Sequence, residues 1–420
     1  MNAIHIRRLC VVLCMLAVCA CGDSGSRSGG AVTTVIDTAG DTLVARTRGT
    51  VAAGAMHRLI IDWRAGAADE KNDFANIGEI AVSSDGRVYV WDPETPSLRY
   101  YDASGTLVKN IARKGSGPGE YTSLNGLAVL PDGRVVAWDM DGRINVYSAD
   151  GVPAKTLRSP MIGYGTNGAL ATDAASRLWV TGFVRTNDQS WGVLGRGAWF
   201  VVDTMGAVLD TVLQPTTERG DEPLIAKIPG GMSSYSLPFG RKQVFAVSAV
   251  GALIWGPSDP YRLYATYNGR PLRIEREWSA VRVADEERAE RRASVEWGLR
   301  RADPAWTWQA KDVPKTKPAY TRINVGGDGR IWVTLSVESV PYQPDAPAAK
   351  TQPPRPQIHF RDGADWRDVF EADGRYLGRV VIPPRVELFA MRGDAVWGVM
   401  TDQDDVPSLV KMRVVPGFGR

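Results

Sequence analysis

The sequence predicts an all-β fold, a six-bladed β-propeller of four-stranded antiparallel blades with one short inserted helix. Three observations carry this: a strand that recurs after a tight turn, a second recurring turn behind it, and the spacing between copies. The recurring strand reads Asp85-Gly86-Arg87-Val88-Tyr89-Val90-Trp91-Asp92. It returns as Asp132-Gly133-Arg134-Val135-Val136-Ala137-Trp138-Asp139 and as Asp328-Gly329-Arg330-Ile331-Trp332-Val333. Weaker copies begin at Ala175, Val250 and Gly393. Asp-Gly between apolar runs is a hairpin signal, and the turn expected is type I′, with positive φ at both central residues.

Each strong copy follows another apolar run: Ile77 to Val82, Leu124 to Leu130, Tyr320 to Val325. A second turn of form Asp-x-x-Gly comes later, at Asp102/Gly105 and Asp203/Gly206, with variants at Ser148/Gly151 and Glu371/Gly374. A closing run follows it, which makes four strands per unit. Marking the first turn at Gly86, Gly133, Ser176, Gly251, Gly329 and Gly393 gives spacings of 47, 43, 75, 78 and 64. The short spacings fit one blade of about 40–50 residues, and the long ones fit blades with insertions. A blade cannot bury both of its faces alone, so the ring must close. The strand-like stretch Ala31 to Arg46 is expected to complete the last blade and cover its edge. A pair of β-sandwiches or a β-helix accounts less well for four-stranded units with regular turns.

Composition bounds the function. The chain has 420 residues, 44% hydrophobic and 23% charged, with 44 glycines, 14 tryptophans and a net charge of +3. It lacks the basic excess of a nucleic-acid-binding domain, so no nucleic-acid partner is expected.

Residues 1–20 read as a leader. Arg7 and Arg8 form a positive start, and the apolar run Leu9 to Ala20 is 12 residues long, short of the roughly 20 needed to span a bilayer. The run ends in Val18-Cys19-Ala20-Cys21-Gly22. This resembles the bacterial lipobox, which implies cleavage before Cys21 and lipid on its sulfur. Cys19 competes, but Val18 is large for the residue before the cut. All four cysteines lie at or before Cys21, so the mature chain can form no internal disulfide and no thiolate zinc site. Residues 21–32 read as a flexible tether and 33–420 as one propeller domain. The resemblance implies a membrane partner through the lipid. Gly22 after the lipidated cysteine favours the outer membrane of a bacterial envelope.

The loop Arg113-Lys114-Gly115-Ser116-Gly117-Pro118-Gly119-Glu120-Tyr121 resembles the Gly-x-Gly-x-Gly-Pro-Gly-Glu-aromatic element of bacterial six-bladed β-propeller proteins, relatives in shape of the NHL-repeat propellers. The likeness extends over roughly residues 74–415. Many such proteins resemble lipoproteins, and the likeness implies a fold more than a chemistry.

Two insertions are expected, near 283–313 and 341–358. The first carries a Glu/Arg-rich helix with Ala289, Ala293 and Trp297 as a thin apolar stripe, packed on a propeller face. A lid over the channel mouth is its functional alternative. The second holds Pro341, Pro344, Pro347, Pro353, Pro354 and Pro356 and reads as an extended loop.

No catalytic constellation is apparent. The glycine loop lacks the Gly-Lys-Ser/Thr and the following helix of a phosphate-binding loop, and reads as a blade connector in which Glu120 binds exposed N–H groups. After the leader only His57 and His359 remain, too few for a zinc site or a Ser/His/Asp enzyme. No cofactor is expected. Calcium is the one ion the residue types allow, through Asp92, Asp139 and carbonyl oxygens. The candidate binding residues are Arg113, Lys114, Glu120, Tyr121, Trp306 and Trp308; for the two tryptophans of the insertion, core or helix packing is the first expectation and exposure to a ligand the alternative. The tryptophans of the repeated strands are expected between blades. The reading is a monomeric, lipid-anchored scaffold binding an envelope protein, peptide or glycan. The alternative is a calcium-dependent hydrolase or lyase at the central channel.

Overall fold

The repeated runs form strands because β-branched and aromatic residues fill both sides of the pleat. Val135–Asp139 is buried at every position, and Val88–Asp92 and Ile331–Leu335 at all but one. The computed structural model describes residues 32–66, 73–95, 97–158, 170–185, 195–309, 311–343 and 355–419. The expected leader, Cys21, all but the last residue of the tether and most of the proline-rich loop lie outside the described residues.

Six four-stranded antiparallel units follow in chain order. Blade 1 is Glu79–Val82, Val88–Asp92, Ser97–Tyr101 and Leu107–Arg113. Blade 2 is Leu124–Val129, Val135–Asp139, Arg143–Tyr147 and Pro153–Arg158. Blade 3 is Leu170–Thr172, Leu178–Val184, Arg196–Val202 and Val208–Leu213. Blade 4 is Gln243–Val247, Leu253–Pro257, Arg262–Tyr267 and Arg270–Arg276. Blade 5 is Tyr320–Val325, Ile331–Leu335, Asp365–Phe370 and Tyr376–Ile382. Blade 6 takes Val386–Arg392, Ala395–Thr401 and Pro407–Val415 from the end of the chain and His57–Ala65 from its beginning.

First strands of successive blades lie side by side from blade 1 to 2, 2 to 3, 4 to 5 and 6 to 1. The other two junctions are joined by Ala174 N–H donating to Ala249 O at 2.7 Å and Gly327 N–H to Met391 O at 2.8 Å. Each junction holds its own apolar cluster. Tyr89 and Leu98 meet Tyr121 and Tyr147 between blades 1 and 2. Trp138 and Ile144 meet Leu178 and Val202 between 2 and 3. Trp179 and Trp199 meet Phe245 and Leu253 between 3 and 4. Leu263 and Ile274 meet Tyr320 and Phe370 between 4 and 5. Trp332 and Val380 meet Val410 and Met412 between 5 and 6. Trp397 and Leu409 meet Val88 and Tyr101 between 6 and 1. Trp138, Trp179, Trp332 and Trp397 are buried, as expected; Trp91 and Trp255 are only partly so.

Two expectations need correction. The Asp-Gly turn is not type I′. Gly86 N–H donates to Ser83 O at 3.1 Å, and Ser83 N–H to Arg87 O at 3.0 Å. Positive φ falls on Gly86 (+88°) and not on Asp85. This is a type I turn closed by a left-handed residue, the G1-bulge hairpin. The aspartate serves through its carboxylate instead: Asp132 Oδ1 accepts the Arg134 N–H at 3.1 Å.

The second correction concerns closure. Thr33–Ala39 and Thr42–Arg48 form a hairpin, but it does not complete blade 6. Thr42–Arg48 lies parallel to Arg270–Arg276, the outer strand of blade 4. His57–Ala65 closes the ring, antiparallel to Pro407–Val415, with a bulge at Asp62. Leu59 from this strand enters the blade 5–6 cluster, and Trp63 packs on the blade 6–1 cluster. The hairpin sends Ala45 into the blade 4–5 cluster. Residues 49–56 span from one edge to the other.

The loops divide by face. Turns between first and second strands, and between the third and fourth strands of blades 1 to 5, are tight. Every long connection joins the second strand to the third, or the fourth to the next blade, and so emerges on the opposite face. That connector face carries the hairpin Leu224–Ile228/Gly231–Tyr235, the helix Asp285–Ala302 (α1) and the hairpin Ser339–Pro341/Phe360–Asp362. Helix α1 turns Val295, Gly298 and Leu299 inward, not Ala289 and Ala293, which are exposed. The missed face begins with the charged residues Glu287, Arg288 and Arg292, so no apolar stripe announces it. It packs on Leu224, Ala226 and Leu237. At Gly298 an added Cβ would lie 2.3 Å from the Tyr235 hydroxyl, so the helix approaches this closely only with glycine there.

The closure makes a prediction. A chain starting at residue 50 should still melt cooperatively, with a lowered Tm. A chain starting at residue 66 leaves the nine-residue strand Pro407–Val415 as an open edge and should lose cooperative melting or aggregate. Circular dichroism melts of the two truncations check this.

Candidate functional site

The blade 4–5 junction differs from the others because charge enters it. Trp366, Asp368 and Phe370 alternate along Asp365–Phe370 and so share the face turned toward blade 4. Asp368 sits directly opposite Arg379 in the neighbouring strand. Asp368 is fully buried, and the side chains of Arg276 and Arg379 are 2% and 8% exposed. Arg276 comes from the end of blade 4's outer strand.

Asp368 accepts from Arg379 Nε at 2.8 Å and Nη2 at 3.3 Å, from the Tyr376 hydroxyl at 2.9 Å and from the Tyr261 hydroxyl at 3.4 Å. Burial pushes both hydroxyls well above the ordinary tyrosine range, so they stay protonated donors. The Arg276 Nε lies 3.7 Å from Asp368, beyond hydrogen-bond reach. Its Nη1 donates to Gly49 O at 2.9 Å and to Glu277 O at 3.3 Å. The Arg379 guanidinium stands 5.2 Å from the Trp366 ring centre and 5.8 Å from that of Trp278.

Outward from this cluster opens a cavity of about 820 Å³ on the connector face. Its walls come from four chain segments: 49–51, 276–281, 336–340 and 363–366, with Arg379 behind them. The first belongs to the crossing that follows the N-terminal hairpin, so the segment that leads to ring closure also walls the cavity. Arg276 and Trp278 both line the cavity; the Arg276 Nε and the Trp278 Nε1 are buried within its wall and have no hydrogen-bond partner. Below the hairpin Ser339–Pro341/Phe360–Asp362, Lys317 Nζ donates to Val337 O at 2.8 Å, Ser339 Oγ at 2.7 Å and Asp362 Oδ1 at 2.6 Å. The Ser339 hydroxyl donates to the buried Glu287 of α1 at 2.7 Å. This network ties the helix to the wall of the cavity.

The sequence-predicted residues lie elsewhere. Arg113 and Glu120 do meet: Arg113 Nε donates to Glu120 Oε1 at 2.9 Å, and Gly117 N–H donates to Oε2 at 2.8 Å. Blade 2 grips the loop through Asn145 Nδ2 to Glu120 O (2.9 Å) and the Tyr147 hydroxyl to Gly119 O (2.9 Å). A Cβ on Gly115 would fall 2.0 Å from Glu120 Oε2, and Gly119 has φ +73°. The loop is thus the expected connector, with Glu120 as its internal acceptor. Lys114 is exposed on it. Tyr121 is 1% exposed and belongs to the blade 1–2 core. Trp306 takes the helix-packing role, buried against α1 with Nε1 donating to Ile225 O at 2.9 Å; Trp308 stacks beneath Arg292 and is partly covered. An indole between helix and hairpin satisfies its N–H on a carbonyl of the hairpin.

Asp92 and Asp139 are both fully buried. Asp92 accepts from the N–H groups of Ala75, Glu94 and Thr95 and from the Thr95 hydroxyl. Asp139 accepts from Thr122 N–H and Oγ1, Ser123 N–H and Arg143 Nη2. Their oxygens pin the second strand to the neighbouring connector and are spoken for by donors. Among the described residues no three His, Cys, Asp or Glu side chains converge as a metal-binding group.

These blades and their closure leave one description. The chain is a six-bladed β-propeller. Residues 68–176, which span blades 1 and 2 and the glycine loop, match a family model described as a 6-bladed beta-propeller. No curated protein matches the propeller at a significant level. Solved structures match it at low identity and with TM-scores below 0.5. A protein described as exported from Bacteroides fragilis NCTC 9343 is 12% identical, covering 87% of this chain and 97% of its own, with a TM-score of 0.48. A streptogramin B lyase is 12% identical over 87% of this chain and all of its own, with a TM-score of 0.41. A Bacteroides caccae protein of unknown function is 9% identical over 77% and 93%, with a TM-score of 0.35.

The propeller's first strands also bring Glu79 of blade 1 toward Glu387 of blade 6, whose carboxylate is 4.0 Å from Arg322. Burial, then the Glu387 charge, raises the Glu79 carboxyl to about 7. A raised folded-state value means stability that is complete below the unfolded value near 4.5 and lost as pH rises through about 7. Glu79→Gln should therefore be more stable than the parent at pH 8, by roughly 2 kcal/mol, and gain little at pH 5. Urea melts at the two pH values measure the difference.

Proposed function

We propose that this propeller is a lipid-anchored binding protein of the bacterial envelope, and that the cavity at the blade 4–5 junction receives its ligand. The single observation behind this is the cavity itself. Its volume falls within the roughly 300–1,000 Å³ of small-molecule sites, and its wall mixes tryptophan and aliphatic surface with a few buried polar groups. That size suits a small molecule or the end of a peptide or glycan. Envelope anchorage rests on the leader and Cys21. No helix among the described residues is long and apolar enough to cross a membrane. Two acyl chains or more at Cys21 would hold the chain stably, where one would not.

The arginines at the cavity floor are held in place by Asp368 and by the carbonyl oxygens of Gly49 and Glu277, an arrangement suited to holding a ligand.

Two experiments test the reading. Ala364 lines the cavity, and Ala364→Trp should fill it. In a thermal-shift screen of amino acids, organic acids, short peptides and oligosaccharides, a ligand at 100 times its Kd stabilises by about 2.7 kcal/mol. That shift should vanish in Ala364→Trp; a ligand that shifts both proteins equally binds elsewhere and counts against the cavity. Cys21→Ser should move the chain from the membrane fraction to the soluble fraction after cell disruption, and unchanged membrane association would overturn lipid anchorage at this residue.

A further inference from the structure

The ligand class follows from the charge arrangement in the cavity, an inference that rests on the cavity being the binding site. Two guanidiniums, Arg276 and Arg379, share one buried carboxylate, Asp368. Its two oxygens already hold four donors, from Arg379, Tyr376 and Tyr261. Arg276 is the surplus cation. Its side chain is 2% exposed, its Nη1 is occupied by two carbonyl oxygens, and its Nε is buried with no acceptor. Trp278 Nε1, in the same wall, is likewise buried without one. With the oxygens of Asp368 already taken, a carboxylate on a ligand is the counter-charge that Arg276 lacks where it lines the cavity.

The rest of the wall limits what carries that acceptor. Beside the arginines stand Trp366, Val337 and Val340, an apolar surface for the body of the ligand. Two further charges line the opening, Glu277 and Glu338, both exposed. Glu277 Oε2 accepts the Gly49 N–H at 3.1 Å and so stays at the rim. The floor is thus cationic and the mouth acidic. A second negative charge on the outer part of a ligand would meet like charge there.

We infer that the cavity takes a small organic monocarboxylate with an apolar or aromatic body, its carboxylate against the Arg276 guanidinium. Planar carboxylates match guanidinium geometry. The acidic rim disfavours dianions.

The test uses the full chain in detergent, with detergent alone subtracted, and ligand-observed saturation-transfer NMR. The probes are phenylacetate, its uncharged counterpart 2-phenylethanol, phenylmalonate as the dianion, and N-acetyl-phenylalanine-glycine as a peptide carboxyl terminus. Phenylacetate should bind in the millimolar range expected of a fragment and at least tenfold more tightly than 2-phenylethanol and phenylmalonate. Tighter binding of the peptide than of phenylacetate would move the source of the carboxylate from a free acid to a peptide end and overturn the small-molecule assignment. Arg276→Gln should lower phenylacetate affinity at least tenfold while leaving 2-phenylethanol unchanged. Arg276→Lys, which keeps the charge, should retain part of the affinity and shows that the loss in Arg276→Gln is not a folding defect. Equal binding of phenylacetate and 2-phenylethanol, both blocked by Ala364→Trp, would overturn the anion assignment and leave the cavity reading standing. Phenylacetate binding that Ala364→Trp does not affect would overturn both. No phenylacetate binding at millimolar concentration would overturn the monocarboxylate, with the thermal-shift screen judging the cavity separately.

Discussion

The structure depends on burial between blades. Each blade is a twisted sheet with apolar residues on both faces, and each face is covered only by the next blade. Six junction clusters, from Tyr89 and Tyr147 at one to Trp332 and Met412 at another, close a continuous ring. A fully buried aliphatic or aromatic side chain contributes about 1.5–3 kcal/mol, and none of that is available to a blade standing alone. The ring must therefore be complete, and the strand His57–Ala65 completes it by pairing the two ends of the propeller. The N-terminal hairpin on blade 4 and the crossing at 49–56 follow from this: the chain reaches blade 6 from the edge of blade 4.

Polar groups enter this apolar ring in a consistent way. Asp92, Asp139, Asp173 and Asp368 are all buried, and each has an arginine within salt-bridge distance. The first three also collect backbone N–H groups, so they fix strand ends and turns. Asp368 collects none of these and binds only side chains, two of them tyrosines. It serves two arginines where the others serve one. Removing a partner from such a cluster is costly because it leaves a buried charge alone. At the blade 4–5 junction the imbalance already exists, and it faces a cavity.

Much of the fold was legible in the sequence because it rests on local chemistry. Strand patterns of period two, glycines at left-handed turn positions and the glycine loop with its internal Glu120 acceptor are all set within a few residues. The turn type was misread because a G1-bulge turn and a type I′ turn share Asp-Gly; they differ in where the strand hydrogen bonds fall, which the dipeptide does not encode. For Trp306 the sequence leaves packing and exposure both open, because the other half of its core comes from the hairpin at 224–235, distant in sequence. Tyr121 was assigned to binding on the strength of its loop, although its ring belongs to the junction behind it. The cavity left no motif at all. Its walls come from residues near 50, 278, 338 and 365, and the packing of blade 5 on blade 4, with the N-terminal crossing beside them, brings them together. One signal was available: every long gap between strands follows a second or a fourth strand, which assigns all insertions to one face.

The repeated four-stranded unit, the number of blades and the connector role of residues 113–121 could be read from the chain because each is written in neighbouring residues. The tertiary structure alone decided which N-terminal strand closes the ring, which face of α1 is buried, and that Arg276 and Arg379 converge on Asp368 beside an open cavity. Those outcomes depend on contacts between segments distant in the chain, such as Tyr261 with Asp368 and Leu59 with Val414. Side-chain burial at that range is set by how whole sheets pack, which no local pattern records.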